Sequence, residues 1–445
     1  MSMSNNENNE IRDSFTSKTG FILACIGSAV GMGNIWLFPY RVGQFGGAAF
    51  LIPYIIFIVL LGYTGLMGEF AFGRMTQTGP IGSFKKALET KNKNWGGFLG
   101  IIPVVGAFGI AVGYAVVVGW FLRFLGGFIT GSAMSAADSG AYFGELASPF
   151  GSIIWHLLAL ILVSIVLISG ISKGIETMNK IMMPAFYILF VIVMVRVFML
   201  DGAFEGIKYL VVPKWSSLME PKTWIYALGQ AFFSLSLAGS GMIVYGSYLK
   251  RDVDIMSSAK NTVIFDTLGA FLAGLVIIPA VFAFNLDPAS GPPLLFITIP
   301  SVFKLMPFGR LFGVIFFISV LFASITSLMN LLEVPIEAVQ STFKLKRKLS
   351  VFIVVGAAFI FGLFAEDGNN LGVLMDFVSI YIIPIGAFIA AVMFFWVIGI
   401  KKAKYEIECG TDKKLGKLFE ISAKYVFVFL TIFVFIAGIL LGGIG

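Results

Sequence analysis

The chain has 445 residues, 58% of them hydrophobic and only 12% charged, with a mean hydropathy of +0.94, against roughly 45–50% apolar and 25% charged in an ordinary soluble domain. That balance excludes a soluble enzyme or binding module, and unbroken apolar runs such as residues 153–168 exclude a membrane barrel, whose strands alternate. The formal charge of +7 calls for no nucleic-acid partner, because the basic residues are spread over loops rather than gathered in one patch.

Apolar runs long enough to span, about 20 residues each, are centred near residues 30, 60, 113, 160, 188, 236, 272, 324, 357, 385 and 433. Ahead of them, residues 1–14 are polar and mixed in charge, unlike a cleavable signal, and read as a disordered cytoplasmic tail. The first span holds Cys25 and carries Gly27, Gly31 and Gly33 before Pro39. Several glycines at midspan leave backbone groups that lipid cannot satisfy, so this span is expected to be interrupted; small-residue packing against a neighbouring helix is the alternative. Glu69 and Arg74 close the second span and Glu333 the eighth, where they read as interhelical polar anchors. The lone histidine, His156, opens the fourth span; a zinc or haem site needs more ligands, so it is interfacial or packed. Gly239 and Gly241 interrupt the sixth span. The first and sixth spans are matching members of two consecutive five-helix sets, and breaks at corresponding places point to a midplane binding site in an inverted-repeat transporter. A lysine-rich loop, 401–420, holds Cys409, too distant in membrane depth from Cys25 for a disulfide, and an eleventh span, 421–445, ends the chain.

With the N-terminus inside, the cytoplasmic segments hold 23 of the 31 basic residues. The positive-inside rule therefore gives a cytoplasmic N-terminus, an outward C-terminus and a multi-pass protein of the cell membrane.

Several segments, in order, resemble the neurotransmitter:sodium symporters, whose bacterial members include leucine and tyrosine/tryptophan transporters. They are GSAVGMGNIWLFPY (27–40), FGGAAFLIPY (45–54), MGEFAFGR (67–74), GISKGIETMNKIMMP (170–184), GQAFFSLSLAGSG (229–241), YGSYLKRD (245–252) and ASITSLMNLLEV (323–334). The resemblance implies an all-α polytopic membrane protein with a ten-helix core over 15–400, built as two inverted repeats, about 15–200 and about 222–400, with broken helices 1 and 6 and an added eleventh helix.

It also implies a site. The amides near Met32 and Gly33 with the Tyr114 hydroxyl would hold a substrate carboxylate, and carbonyls near Ala29, Phe233, Ser234 and Ser236 its amine. Ile110, Phe233 and Leu331 would line the side-chain space, with Ser327 close by and Gly239 leaving room for a large group. Sodium 1 would use Ala29, Asn34, Ser234 and Asp266 with the substrate carboxylate; sodium 2 would use Gly27, Val30, Ala323, Thr326 and Ser327. For Thr326 and Ser327, ordinary bonding to i−4 carbonyls is the alternative. For Asp266 it is capping a kink or pairing Lys260, and for Tyr114 bonding a neighbouring helix.

Gly31 stands where monoamine-carrying members place an aspartate, so a carboxylate-bearing substrate is expected. Asp266 takes the place of the usual asparagine and Ala270 that of the usual chloride or carboxylate position, so two sodium ions and no chloride are implied. The gates depart from the family. Leu37 stands where many members have an arginine, leaving Arg41 to pair with Asp376 or to lie exposed at the interface. Arg12, Phe15 and Tyr248 resemble the inner gate, whose acid aligns with Ser341, leaving Glu337 or Gln340 as substitutes.

The expected activity is sodium-coupled import, by alternating access, of a neutral, large hydrophobic or aromatic amino acid. The implied partners are that amino acid and membrane lipid, with no oligomer required. Proton-coupled or exchange transport on the same scaffold is the alternative, though such proteins tend to set a fixed positive charge near Thr326 and Ser327. A membrane enzyme is disfavoured by the single histidine, the short loops and the lack of an HExxH or GxSxG motif. A channel is disfavoured by the lack of a filter motif.

Overall fold

The computed structural model describes residues 13–288 and 294–444, and regular structure among the described residues is helical throughout. The expected tail therefore lies outside the described residues except for Asp13 and Ser14, and Arg12 of the expected inner gate lies outside them as well.

Lipid offers no partner for backbone N–H and C=O groups, so each apolar run closes its own hydrogen bonds as a helix. α1 (Lys18–Ala29) and α2 (Gly33–Gln44) make one span bent by 51°. α3 (Ala48–Thr76) follows it, then the short α4 (Pro80–Glu89). α5 (Gly96–Thr130), α6 (Ile153–Ile168) and α7 (Ile171–Phe198) complete the first set, and α8 (Ala203–Val211) leads away from it. The second broken span is α9 (Pro221–Ser234) and α10 (Gly241–Ser247). It is followed by α11 (Ile255–Ala283), α12 (Leu294–Leu305), α13 (Gly309–Phe343), α14 (Arg347–Phe364), α15 (Gly368–Glu408) and α16 (Lys417–Leu441). Each expected centre falls in one of these helices or at one of the two breaks. The non-spanning helices α4, α8 and α12 were not foreseen, since runs this short carry too few turns to separate helix from loop.

α13 packs along α5 and α7, α10 along α3, and α11 along α1 and α8. The anchors expected at Glu69, Arg74 and Glu333 join these layers. Glu69 accepts the Gly239 N–H at 2.9 Å, tying α3 to the second break. The Arg74 guanidinium, 1% exposed, donates to Glu406 Oε1 at 2.7 Å, to the Val253 carbonyl at 2.7 Å and to the Glu406 carbonyl. One side chain thereby joins α3, the α10–α11 loop and the end of α15. Glu333 binds Arg347 at 2.9 and 2.7 Å. His156 is packed, not interfacial: it is fully buried, with Nδ1 3.2 Å from Glu366 Oε1, while Glu366 Oε2 accepts the Ser152 N–H at 3.1 Å.

Removing one partner of a buried ion pair strands the other charge, at a cost of about 3–5 kcal/mol. Arg74→Ala is expected to lower the thermal midpoint of purified protein clearly, whereas the double variant Arg74→Met with Glu406→Leu recovers much of it. Equal loss in single and double variants contradicts this role, and a thermal unfolding series in detergent reads it directly.

Candidate functional site

Both broken spans open their backbones toward one another. Helix α1 stops where Val30 turns extended, at φ −72° and ψ 106°, and α2 resumes with a π-helical turn over Gly33–Leu37 that carries Asn34. Such wide turns cluster at functional sites. In the second break, Ser236 takes φ +53° and Gly239 φ +67°, left-handed conformations that halt a helix. Side chains from the second break satisfy carbonyls of the first: Ser236 Oγ donates to Ser28 O at 3.1 Å, and Gln230 Nε2 to Gly33 O at 2.9 Å.

A cavity lies between the breaks, α5 and α13. Its walls include the expected Ala29, Met32, Gly33, Ile110, Tyr114, Phe233, Ser236, Ser327 and Leu331. The Met32 N–H donates to the Tyr114 hydroxyl at 2.9 Å, which joins the two groups expected at a substrate carboxylate. Gly239 is a correction: it does not line the cavity. Its N–H is held by Glu69, and a Cβ there would sit 2.5 Å from the Gly386 carbonyl and 2.9 Å from Ala390, so its open side faces α15. The glycine serves a tight backbone approach, and any substituent would strike α15 before it reached a substrate. Ser234 also stands back from the cavity, in the polar cluster described next. Missed from the sequence were Ser28, Ser240 and Asn330, which add polar groups to the wall; Asn330 follows Ser327 by one helical turn, the signal that was available.

Behind Phe233, Asn34, Ser234 and Asp266 form one fully enclosed cluster. Asn34 Nδ2 faces Asp266 Oδ1 at 2.8 Å, the Asp266 carbonyl at 3.0 Å and Ser234 Oγ at 3.2 Å, while its Oδ1 accepts the Gly31 N–H at 3.2 Å. Ser234 Oγ donates to Asp266 Oδ2 at 2.9 Å. Neither alternative for Asp266 is seen: its carboxylate is held by α2 and α9. These hydrogen bonds come from neutral groups, so the carboxylate charge is available to a cation, and the oxygen-rich set fits a hard monovalent one.

A second oxygen cluster joins α1 to α13. Ser327 Oγ lies 3.0 Å from Gly27 O, 3.2 Å from Ser28 O and 3.2 Å from Val30 O. A hydroxyl has one hydrogen, so three carbonyls converging on it have more acceptor capacity than it can fill. That surplus fits a hard cation too. Thr326 Oγ1 makes the ordinary helical bonds, to Ala323 O at 2.9 Å and Phe322 O at 3.0 Å.

The gates differ from expectation. Arg41 does not pair with Asp376: its Nη1 donates to Gln44 Oε1 at 3.0 Å, and its guanidinium lies 4.4 Å over the Tyr226 ring. The π-face on α9 offers a half-buried arginine a nearer partner than Asp376, which is exposed. At the other end, Phe15 packs edge-on against Tyr245, 5.6 Å between centroids, and the Tyr248 hydroxyl donates to Glu333 Oε1 at 2.8 Å. Glu337 is engaged with the Gly79 N–H at 2.8 Å, and the Ser341 hydroxyl with Ala338 O at 3.3 Å.

Comparison with known proteins agrees with this geometry. The pattern of the Sodium:neurotransmitter symporter family matches residues 12–134 and 143–441. An uncharacterized sodium-dependent transporter of Bacillus subtilis is 36% identical over 432 residues, covering 94% of each chain. A sodium-dependent serotonin transporter of Drosophila melanogaster is 28% identical, over 95% of this chain and 76% of its own. Among solved structures, that of MhsT in complex with L-phenylalanine superposes with a TM-score of 0.87 at 35% identity, covering 96% of this chain and 99% of that one. The all-α fold, with its broken helices and added eleventh helix, and the match over nearly the whole length make this multi-pass membrane chain a member of the sodium:neurotransmitter symporter family, a family of secondary transporters and not of enzymes.

Proposed function

We propose that this protein is a sodium-coupled symporter that imports a neutral, large hydrophobic or aromatic amino acid by alternating access, with its N-terminus cytoplasmic and its C-terminus outside. The reading rests chiefly on the two broken spans, which offer amide donors, a tyrosine hydroxyl and carbonyls to one apolar-walled cavity. A free amino acid needs that combination at midmembrane, since an unpaired carboxylate or ammonium is costly there. The relatives named sodium-dependent and the phenylalanine bound in MhsT support the coupling ion and the substrate class.

Sodium 1 would be held by Ala29, Asn34, Ser234 and Asp266, and sodium 2 by Gly27, Val30, Ala323, Thr326 and Ser327. A fully buried carboxylate held by neutral donors supplies a fixed negative charge beside the first ion, so chloride is not required. A unit charge pair about 4 Å apart at an effective dielectric near 20 contributes about 4 kcal/mol. The same carboxylate favours one second reading, proton coupling, in which Asp266 carries the coupling ion as a bound proton.

In proteoliposomes, uptake of labelled phenylalanine or leucine is expected under an inward sodium gradient and not under a proton gradient alone; uptake driven by protons without sodium selects the second reading. Asp266→Asn is expected to abolish sodium-driven uptake in chloride-free buffer, and Asp266→Asn with Ala270→Ser to regain it only with chloride; wild-type uptake that stops when gluconate replaces chloride removes the charge argument. Cys25 is buried and Cys409 partly exposed, so a membrane-impermeant thiol reagent is expected to label Cys409 in inside-out vesicles only. Labelling in intact cells reverses the orientation.

A further inference from the structure

A buried amide that the two sodium sites leave out lies beside the second one. Asn179, on α7, is fully buried. Its Nδ2 donates to the Ile175 carbonyl one helical turn back, at 2.8 Å, which fixes the amide's orientation: the nitrogen takes the helix carbonyl and Oδ1 points away from it. That oxygen is buried and accepts no hydrogen bond. It faces α1 at Gly27. A Cβ built on Gly27 would lie 2.0 Å from Asn179 Oδ1, 2.8 Å from Thr326 Cβ and 3.1 Å from Thr326 Oγ1, so the amide oxygen packs closely against the glycine, beside the threonine. The carbonyl of the same glycine is one of the three gathered at Ser327.

From this juxtaposition we propose that Asn179 Oδ1 is a sodium ligand contributed by α7 to the second ion site, which otherwise draws only on α1 and α13. A neutral amide oxygen is a hard donor suited to sodium, and only a glycine at position 27 lets the amide come this close to the α1 backbone. The proposal rests on the sodium-coupled reading above. It extends that reading physically: an ion bound by α1, α13 and α7 together ties three helices rather than two, so its departure releases α7 as well.

The test separates a ligand from a packing residue. Asn179→Asp keeps an oxygen at the site but loses the N–H that holds Ile175 O; Asn179→Leu fills similar volume and loses both. The readouts are binding of radioactive sodium to purified protein at equilibrium and the sodium concentration giving half of the sodium-induced rise in melting temperature. For Leu the half-effect concentration is expected to rise at least tenfold, and for Asp to stay within about twofold of wild type or fall. If both variants weaken binding equally, the amide only fastens the α7 helix; if neither changes it, the oxygen touches no ion; either result overturns the proposal. Ser327→Ala is the control for the underlying reading. If it too leaves sodium binding unchanged, the second site itself falls and the ligand with it; if it weakens binding while Asn179→Leu does not, only the α7 ligand falls.

Discussion

A helix that stops in the middle of a membrane frees backbone groups which lipid cannot bond, and this protein satisfies them by setting two such stops against each other. Ser236 and Gln230 donate to carbonyls of the first break, while the Asn34 side chain, set by the π-turn, folds back on the Gly31 N–H. Everything else in the core is arranged around that exchange. Tyr114 reaches in from α5 to take the Met32 amide, and Ser327 from α13 to meet three carbonyls of the first break. Three carbonyls of the first break meet on one Ser327 hydroxyl, more acceptor capacity than its single hydrogen can fill, so the break keeps oxygens that suit a hard cation.

Charges farther out hold the frame in which the breaks sit. Glu69 grips the second break itself, so the α3 wall and the cavity are mechanically linked. Arg74 with Glu406, and Glu333 with Arg347 and Tyr248, lie toward the end of the molecule where the loops are rich in lysine. At the opposite end, Arg41 rests on Tyr226. A cation–π contact of this kind is weaker and less directional than a bidentate ion pair, so α2 and α9 are held there with less force than α13 and α14 are by Glu333 and Arg347.

The spans and the paired breaks were legible in the sequence because hydropathy and glycine act locally: lipid imposes about 20 apolar residues on any crossing helix, and Gly27, Gly31 and Gly33 weaken a helix whatever surrounds them. What depended on three-dimensional context was not legible. Gly239 read as room for a substrate, yet its open side faces Gly386 and Ala390, because a glycine's spare space belongs to whichever helix packs against it. Ser236 adopts φ +53°, which no propensity assigns to serine. Arg41 was given the acid of the family's usual gate when an aromatic face on α9 lay nearer. The His156–Glu366 pair joins residues 210 apart, and no pattern in either neighbourhood announces the other.

The cavity between the breaks shows the same dependence on context. Its expected walls, Ile110, Phe233 and Leu331, are apolar, but Ser28, Ser240 and Asn330 also line it. Ser28 lies in the last turn of α1 and Ser240 just before α10, so part of the cavity's polarity comes from the ends of the broken helices. Asn330 stands apart: it sits within the unbroken α13, with Nδ2 at a long 3.5 Å from Gly241 O. The size of the cavity is therefore set by the packing of α5, α13 and α15 around the breaks, whereas its polarity comes from single side chains on those helices and at the breaks.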